Sequence, residues 1–274
     1  GGAMFGVVPK SLWERTNPAD SKNLIELGTR SLLVEDGKKL ILIDCGLGNK
    51  QDEKFFGHYS LYGDESLDKN LKKFGFVRED ITDVFLTHLH FDHCGGAIEW
   101  NDDKTGYRPA FKNAQFWTNE NHWQWATEPN PREKASFLKE NILPMQESGQ
   151  LQFLPTPKTG NYGFAPDLKM DVIFVDGHTE KQMLPVIQYQ EKTIVFAADL
   201  IPTAGHIPQV YVMGYDTRPL LTMEEKGKFL KQCVENEYLL FFEHDAHHEL
   251  ASLKMTEKGV KLDETFSFNE VFGY

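Results

Sequence analysis

Residues 87–96 read Thr87-His88-Leu89-His90-Phe91-Asp92-His93-Cys94-Gly95-Gly96, and this stretch decides the fold. Four side chains of metal-ligand type occur within six residues, directly after a predicted β-strand. Because side chains alternate along a strand, His88 and His90 project to the same side, whereas Asp92 and His93 lie in the turn beyond it. The stretch therefore predicts that one short piece of backbone serves two adjacent metal ions.

This stretch resembles the signature of the metallo-β-lactamase superfamily. The superfamily's other motifs have matches in the expected order: Asp44 ends an early strand, Gly-His-Thr surrounds His178, Asp199 ends a hydrophobic strand, and His244 follows a late strand. The matches extend over nearly the whole chain. The resemblance implies an α/β fold, the αββα sandwich of the metallo-β-lactamase type, with the ligands gathered at one edge of the two sheets.

The resemblance also implies a ligand set for two zinc ions. It assigns three ligands to one metal, three to the other and one bridging carboxylate, which are respectively His88, His90 and His178; Asp92, His93 and His244; and Asp199. Imidazole and carboxylate ligands without thiolate suit zinc. Two such metals activate water and polarise a carbonyl. Asp199 is then catalytic as the bridge, Asp92 is placed to protonate a leaving alkoxide, and Asp44 supports the ligands.

Composition narrows the function classes. The chain has 274 residues, with 29 Lys and Arg against 41 Asp and Glu, a net charge of -12. Because no basic run or stripe is present, we expect neither nucleic acid nor an anionic membrane as a partner. The three scattered cysteines predict no disulfide framework and favour a cytoplasmic location. We expect a single domain over 1–274, with a helical insert near 110–150.

Secondary similarities point to one branch of the superfamily. The opening, residues 2–10, resembles the loop of N-acyl homoserine lactone lactonases and of methyl parathion hydrolase, and residues 131–137 resemble their inserted helical region. The resemblance implies a dizinc hydrolase that opens the lactone ring of N-acyl homoserine lactones, with a homodimer expected by analogy. One alternative is a promiscuous esterase or phosphotriesterase with the same metals. Another is a metal-dependent oxidoreductase or a non-catalytic metal-binding module.

Aromatic and apolar residues are the candidates for substrate contacts. Trp123 and Trp125 in the insert predict one wall of a lipophilic pocket, and Met4 and Phe5 predict the opposite wall. The tryptophans can equally pack a core helix, and the opening loop can equally form a dimer contact.

One position departs from the lactonase pattern. Lactonases of this branch have a tyrosine three positions after the bridging aspartate, where this chain has Pro202. His206 is the first candidate to replace it as a catalytic and substrate-binding donor, with Tyr211 and Tyr162 as weaker candidates.

Local patterns predict several elements. A hairpin is expected around Asp36-Gly37, and a helix capped by Ser66 is expected to run to about residue 74. Another helix is expected over 132–146, with Pro144 disturbing its end. Thr222-Met223-Glu224-Glu225 has the form of a capping box and predicts a helix from there to about residue 234.

Overall fold

The computed structural model describes residues 1–35, 37–157, 162–165 and 169–273. The chain divides into two compact units. The first unit is Ser31–Pro155, and the second unit consists of Gly1–Arg30 with Thr156–Tyr274. The expectation of one domain over 1–274 stays a prediction. Among the helices of the described residues, none combines the length and apolar character that a membrane crossing requires.

The elements of the described residues are numbered in chain order. The strands are β1 Leu32–Glu35, β2 Leu40–Ile43, β3 Asp83–Phe85, β4 Ile98–Trp100, β5 Tyr107–Pro109, β6 Gln115–Asn119, β7 Leu151–Leu154, β8 Tyr162–Ala165, β9 Met170–Val175, β10 Gln182–Tyr189, β11 Lys192–Phe196, β12 Leu239–Phe241, β13 Leu250–Thr256 and β14 Gly259–Phe266. The helices are α1 Gly2–Phe5, α2 Lys10–Trp13, α3 Glu53–Gly57, α4 Leu67–Lys73, α5 Phe91–Cys94, α6 Glu120–Thr127, α7 Lys139–Glu147, α8 Pro219–Glu235 and α9 Phe268–Phe272.

The first unit is built on a five-stranded sheet in the order β1-β2-β3-β6-β7. The predicted hairpin is confirmed, since β1 pairs antiparallel with β2 and Leu32 lies opposite Ile43; Asp36 lies outside the described residues. The other neighbours are parallel. Every residue of β2 is buried, and because successive side chains point to opposite faces of a sheet, both faces are covered at this strand. The carboxyl ends of β2, β3 and β6 share one edge, so Asp44 and the stretch 86–93 leave the sheet side by side.

The second unit is built on a seven-stranded sheet in the order β14-β13-β12-β11-β10-β9-β8. Strands β9 and β11 both run antiparallel to β10, and β12 runs parallel to β11. Strands β9, β11 and β12 therefore point in the same direction, and their carboxyl ends lie at one edge of the sheet. His178 follows β9, Asp199 follows β11 and His244 follows β12, so the topology brings these distant residues to the same edge.

Of the three helices predicted from local patterns, α4 begins where it was predicted, whereas α7 and α8 begin at other residues. Ser66 caps α4 as predicted, with its side chain accepting the N–H of Lys69. The helix predicted to run to about residue 234 is confirmed as α8, which ends at Glu235. Its predicted capping box is wrong, because α8 begins at Pro219, a residue whose fixed φ suits the first helical position. Thr222 thus lies inside the helix. The carboxylate of Glu225 instead accepts the N–H groups of Asp176 and Gly177, which fixes the turn before His178.

The helix predicted over 132–146 begins later than expected, because residues 131–136 form a turn. The side-chain oxygen of Asn130 accepts the N–H groups of Arg132 and Glu133. Such bonds compete with helical backbone bonds, so α7 begins only at Lys139. Pro144 lies within α7, which continues to Glu147.

Candidate metal centre

Asp44 organises the histidine run of the first unit. It is fully buried at a positive φ of 51°, and its carboxylate accepts the N–H and the hydroxyl of Thr87 at 2.8 and 2.6 Å. His93 Nδ1 lies 3.0 Å from Asp44 Oδ2. Since a carboxylate only accepts, His93 donates through Nδ1 and keeps Nε2 unprotonated. Asp44 thus has the supporting position expected from the sequence.

His88 and His90 converge on one point. The Thr87 hydroxyl donates to Asp44, so it accepts from His88 Nδ1 at 3.1 Å and leaves Nε2 of His88 as the unprotonated nitrogen. That nitrogen lies 3.0 Å from Nδ1 of His90, and both residues are buried.

Glu133 fixes the orientation of His90. Its Oε1 lies 3.3 Å from His90 Nε2, which therefore donates and leaves Nδ1 to face His88. The other oxygen accepts the indole N–H of Trp125 at 2.7 Å and the amide of Asn130 at 2.5 Å. Glu133 is only 3% exposed. Glu133 was not predicted from the sequence, because nothing in the local pattern marks it.

Trp125 and Trp123, which were expected to line the substrate pocket, both have contacts inside the first unit. The polar end of Trp125 is directed to Glu133. Trp123 is 7% exposed and belongs to the hydrophobic core of the first unit. Direct contact of either indole with substrate stays a prediction.

Asp199 lies between two histidines in the second unit. Its Oδ2 lies 3.1 Å from His178 Nε2, and its Oδ1 lies 3.1 Å from His244 Nε2. Nδ1 of His178 donates to Asp216 Oδ1 at 2.9 Å, and Nδ1 of His244 donates to the carbonyl of Gly28 at 2.9 Å. Both Nε2 atoms are then acceptors that face carboxylate oxygens. Asp216 and Gly28 were not predicted, and no motif marks them.

The donor chemistry of both units fits metal ions. Within each unit, atoms of ligand type lie within 4.8 Å of one another: His88 and His90, Asp92 and His93, His178 and Asp199. Acceptor pairs such as His88 with His90, about 3 Å apart and buried, repel each other unless a cation lies near both. Donating the other ring nitrogen to a carboxylate or carbonyl is what metal-ligating histidines do.

Thiolate takes no part in either cluster. The Sγ of Cys94 is directed to the carbonyl of Leu89 at 3.3 Å, and burial raises the pKa of its thiol to about 12. The donor set is therefore imidazole and carboxylate, as zinc hydrolases use. His122, expected not to be a ligand, accepts the N–H of Leu89 through Nε2.

His206 is occupied by contacts within the second unit. Its Nε2 donates to the carbonyl of Met4 at 2.8 Å, so Nδ1 accepts the hydroxyl of Thr203, also at 2.8 Å. Phe5 stacks on both the His206 ring at 4.2 Å and Trp13 at 5.1 Å. Burial lowers the pKa of His206 to about 3, which keeps it neutral.

These contacts favour an anchoring role for His206 and Phe5, which are 1% and 0% exposed. A direct role of His206, Met4 or Phe5 with substrate stays a prediction, since it would require these contacts to open.

A family model, the metallo-beta-lactamase superfamily, matches residues 24–232. The chain belongs to the metallo-β-lactamase superfamily. It is a hydrolase of that superfamily, and the expected α/β fold is confirmed.

The chain is similar to lactonases and to a probable metal-dependent hydrolase. An N-acyl homoserine lactonase of Bacillus cereus is 23% identical over 240 residues, which cover 83% of this chain and 85% of the relative. A probable metal-dependent hydrolase from Staphylococcus aureus superposes with a TM-score of 0.85 at 26% identity, over 97% of this chain and 91% of that one. The dizinc quorum-quenching lactonase AidC, in complex with a product, gives 0.69 at 24% identity, over 88% and 81%. At that identity the likeness to AidC concerns the fold alone.

Proposed function

We propose that this protein is a dizinc hydrolase that opens the lactone ring of N-acyl homoserine lactones. The observation that carries the proposal is the carboxylate of Asp199, which turns one oxygen toward Nε2 of His178 and the other toward Nε2 of His244. In this proposal the two metals have the ligands predicted from the sequence: His88, His90 and His178; Asp92, His93 and His244; and Asp199 as the bridge. The distant lactonase relatives support the substrate class.

In the proposed reaction, bound zinc and the side chains around it have different roles. Bound zinc supplies Lewis acidity, which lowers the pKa of water toward ~7 and polarises an ester carbonyl. Asp44, Glu133 and Asp216 each hydrogen-bond one ring nitrogen of a histidine. The other ring nitrogen would then be the one that binds a metal, and each histidine keeps one tautomer and one orientation. The side chain of Asp92 is 30% exposed, which leaves its carboxylate accessible to take the proton that the attacking water loses and to pass it to the leaving alkoxide.

The test is a substrate panel on purified protein with its zinc quantified. N-acyl homoserine lactones of short and long chain are compared with an aryl ester and a phosphotriester. We expect about two zinc ions per chain and a kcat/KM that is highest for a lactone. Lactone hydrolysis no faster than aryl ester hydrolysis would remove the lactonase assignment and favour the promiscuous esterase, and redox-active iron would favour the oxidoreductase.

A variant tests the bridge. Asp199→Ala is expected to reduce activity to background and zinc to fewer than two ions per chain, because both metals lose a shared ligand. Asp102→Ala is the matched control, since Asp102 is exposed and lies outside the ligand set. Full zinc content and full activity in Asp199→Ala would contradict the bridging assignment. The homodimer and the cytoplasmic location stay predictions.

A further inference from the structure

The loop that carries His244, residues 242–248, is held by residues 28–30 of the same unit. The N–H of Gly28 donates to the carbonyl of His244, and the N–H of Arg30 donates to the carbonyl of Glu243, both at 3.0 Å. The carbonyl of Gly28 in turn accepts His244 Nδ1. Residues 28–30 therefore fix both the backbone and the ring tautomer of His244.

The side chain of Arg30 closes the same loop. Its Nη1 donates to the carbonyls of Phe242 at 2.7 Å and Asp245 at 3.0 Å, and the carbonyl of His248 lies at 3.4 Å. Burial lowers the pKa of Arg30, and the carboxylates of Asp245 and Glu249 oppose that effect; arginine remains charged at any physiological pH. One guanidinium thus draws together carbonyls from the start, the middle and the end of residues 242–248.

Asp245 joins this loop to the one that follows Asp199. Its Oδ2 accepts the N–H of Ala204 at 2.9 Å, and its Oδ1 accepts the N–H groups of His247 and His248 at 2.9 and 2.8 Å. The N–H of His244 also donates to the carbonyl of Pro202 at 3.2 Å. The 3.1 Å approach of His244 to Asp199 therefore depends on how residues 242–248 are held.

We infer that Arg30 is a positioning residue of the metal site, which holds His244 against Asp199 through the backbone carbonyls of residues 242–248. The inference rests on the metal-binding part of the proposed function and is independent of the substrate. Zinc ligands must lie within about 0.2 Å of their ideal distances. Without Arg30, buried carbonyls lose a charged donor, and the loop can relax by more than that tolerance.

The experiment measures zinc affinity by competition with a chromophoric chelator. Wild type is compared with Arg30→Met, Arg30→Lys and the control Arg15→Met, which removes an exposed arginine of the same unit. We expect Arg30→Met to weaken one of the two zinc ions by about 10- to 100-fold, the range for groups that orient ligands. Arg30→Lys is expected to lose less, because lysine keeps the charge but not the planar fork, and Arg15→Met is expected to match wild type.

A second readout separates positioning from a general contribution to stability. The Tm of each variant is measured without zinc and with zinc. A purely structural role lowers both values equally, whereas positioning reduces the rise in Tm that zinc produces. Unchanged zinc affinity, or equal lowering of both Tm values, would overturn the inference; if Arg30→Met does not fold, the same two criteria apply to Arg30→Lys.

The outcomes also separate this inference from the proposed function. A wild type that binds two zinc ions without opening lactones removes the substrate assignment only. A wild type that opens lactones, with an Arg30 variant of unchanged zinc affinity, removes the positioning role only. A wild type that binds no zinc removes both.

Discussion

Lys226 makes the stability of the protein depend on pH in a way that a substitution can isolate. It lies on α8 with no exposed surface, and its Nζ donates to the carbonyls of His206 at 2.9 Å and Tyr211 at 2.6 Å. Burial lowers the pKa of Lys226 from 10.5 to about 7, while the carboxylate of Asp216 acts in the opposite direction. Lys226→Met keeps a similar apolar stem and removes the amine.

The sign follows from where the proton is bound. Between pH 7 and pH 10.5 the unfolded lysine is protonated and the folded one is largely neutral, so the free energy of unfolding rises with pH, by at most about 1.4 kcal/mol per pH unit. Integrated from pH 6 to pH 9, the gain is about 2.5 kcal/mol. At pH 6 wild type bears a cost of about 5 kcal/mol for burying the charged amine. The variant instead leaves two carbonyls without a donor, at about 1–3 kcal/mol each, so the two costs are of similar size. Wild type and variant should therefore differ little at pH 6, and wild type should be more stable at pH 9.

Urea-induced unfolding at pH 6, 7, 8 and 9 measures this difference. Titration of the groups that both proteins share cancels when the variant is subtracted from wild type. Lys228→Met is the matched control, because Lys228 is an exposed lysine of the same helix, paired with Glu224, and its variant should follow wild type at every pH. A difference between wild type and Lys226→Met that stays constant from pH 6 to pH 9 would refute the reasoning.

Two further predictions concern buried groups. His206→Ala should lower the free energy of unfolding by about 2–4 kcal/mol and expose residues 1–17 to limited proteolysis, with partial recovery in His206→Gln, which can still donate to the Met4 carbonyl; lost activity at unchanged stability would instead support a direct catalytic role. Cys45, Cys94 and Cys233 are buried, and burial raises the pKa of each thiol, so an aromatic disulfide reagent at pH 8 should label none in the folded protein and all three in urea, and rapid labelling of the folded protein would contradict this burial.

The parts of the fold that the sequence predicts are those set by local pattern. The hydrophobic run of β2 is buried at every position, the Ser66 cap starts α4, and residues 87–96 follow β3 as expected. In each case neighbouring residues supply the deciding interaction. The Thr222 box has the right residue types as well, yet Pro219 starts α8 three residues earlier. The Glu225 carboxylate was then available to bind the turn before His178, which no local pattern could show.

The ligands and the groups that hold them differ in predictability for a physical reason. A metal ligand must be one of a few residue types, and in this fold it lies at a strand end, so the proposed ligands His178, Asp199 and His244 can be picked out from the sequence. A group that holds a ligand needs only a donor or an acceptor at the right place. For His244 that acceptor is the backbone carbonyl of Gly28, which every residue possesses. His206 shows the converse: its residue type suggested catalysis, but its Nε2 is used by the carbonyl of Met4, 202 positions away. Residue type therefore predicts where metal chemistry can occur, whereas tertiary contacts determine which nitrogen of each histidine takes part in it.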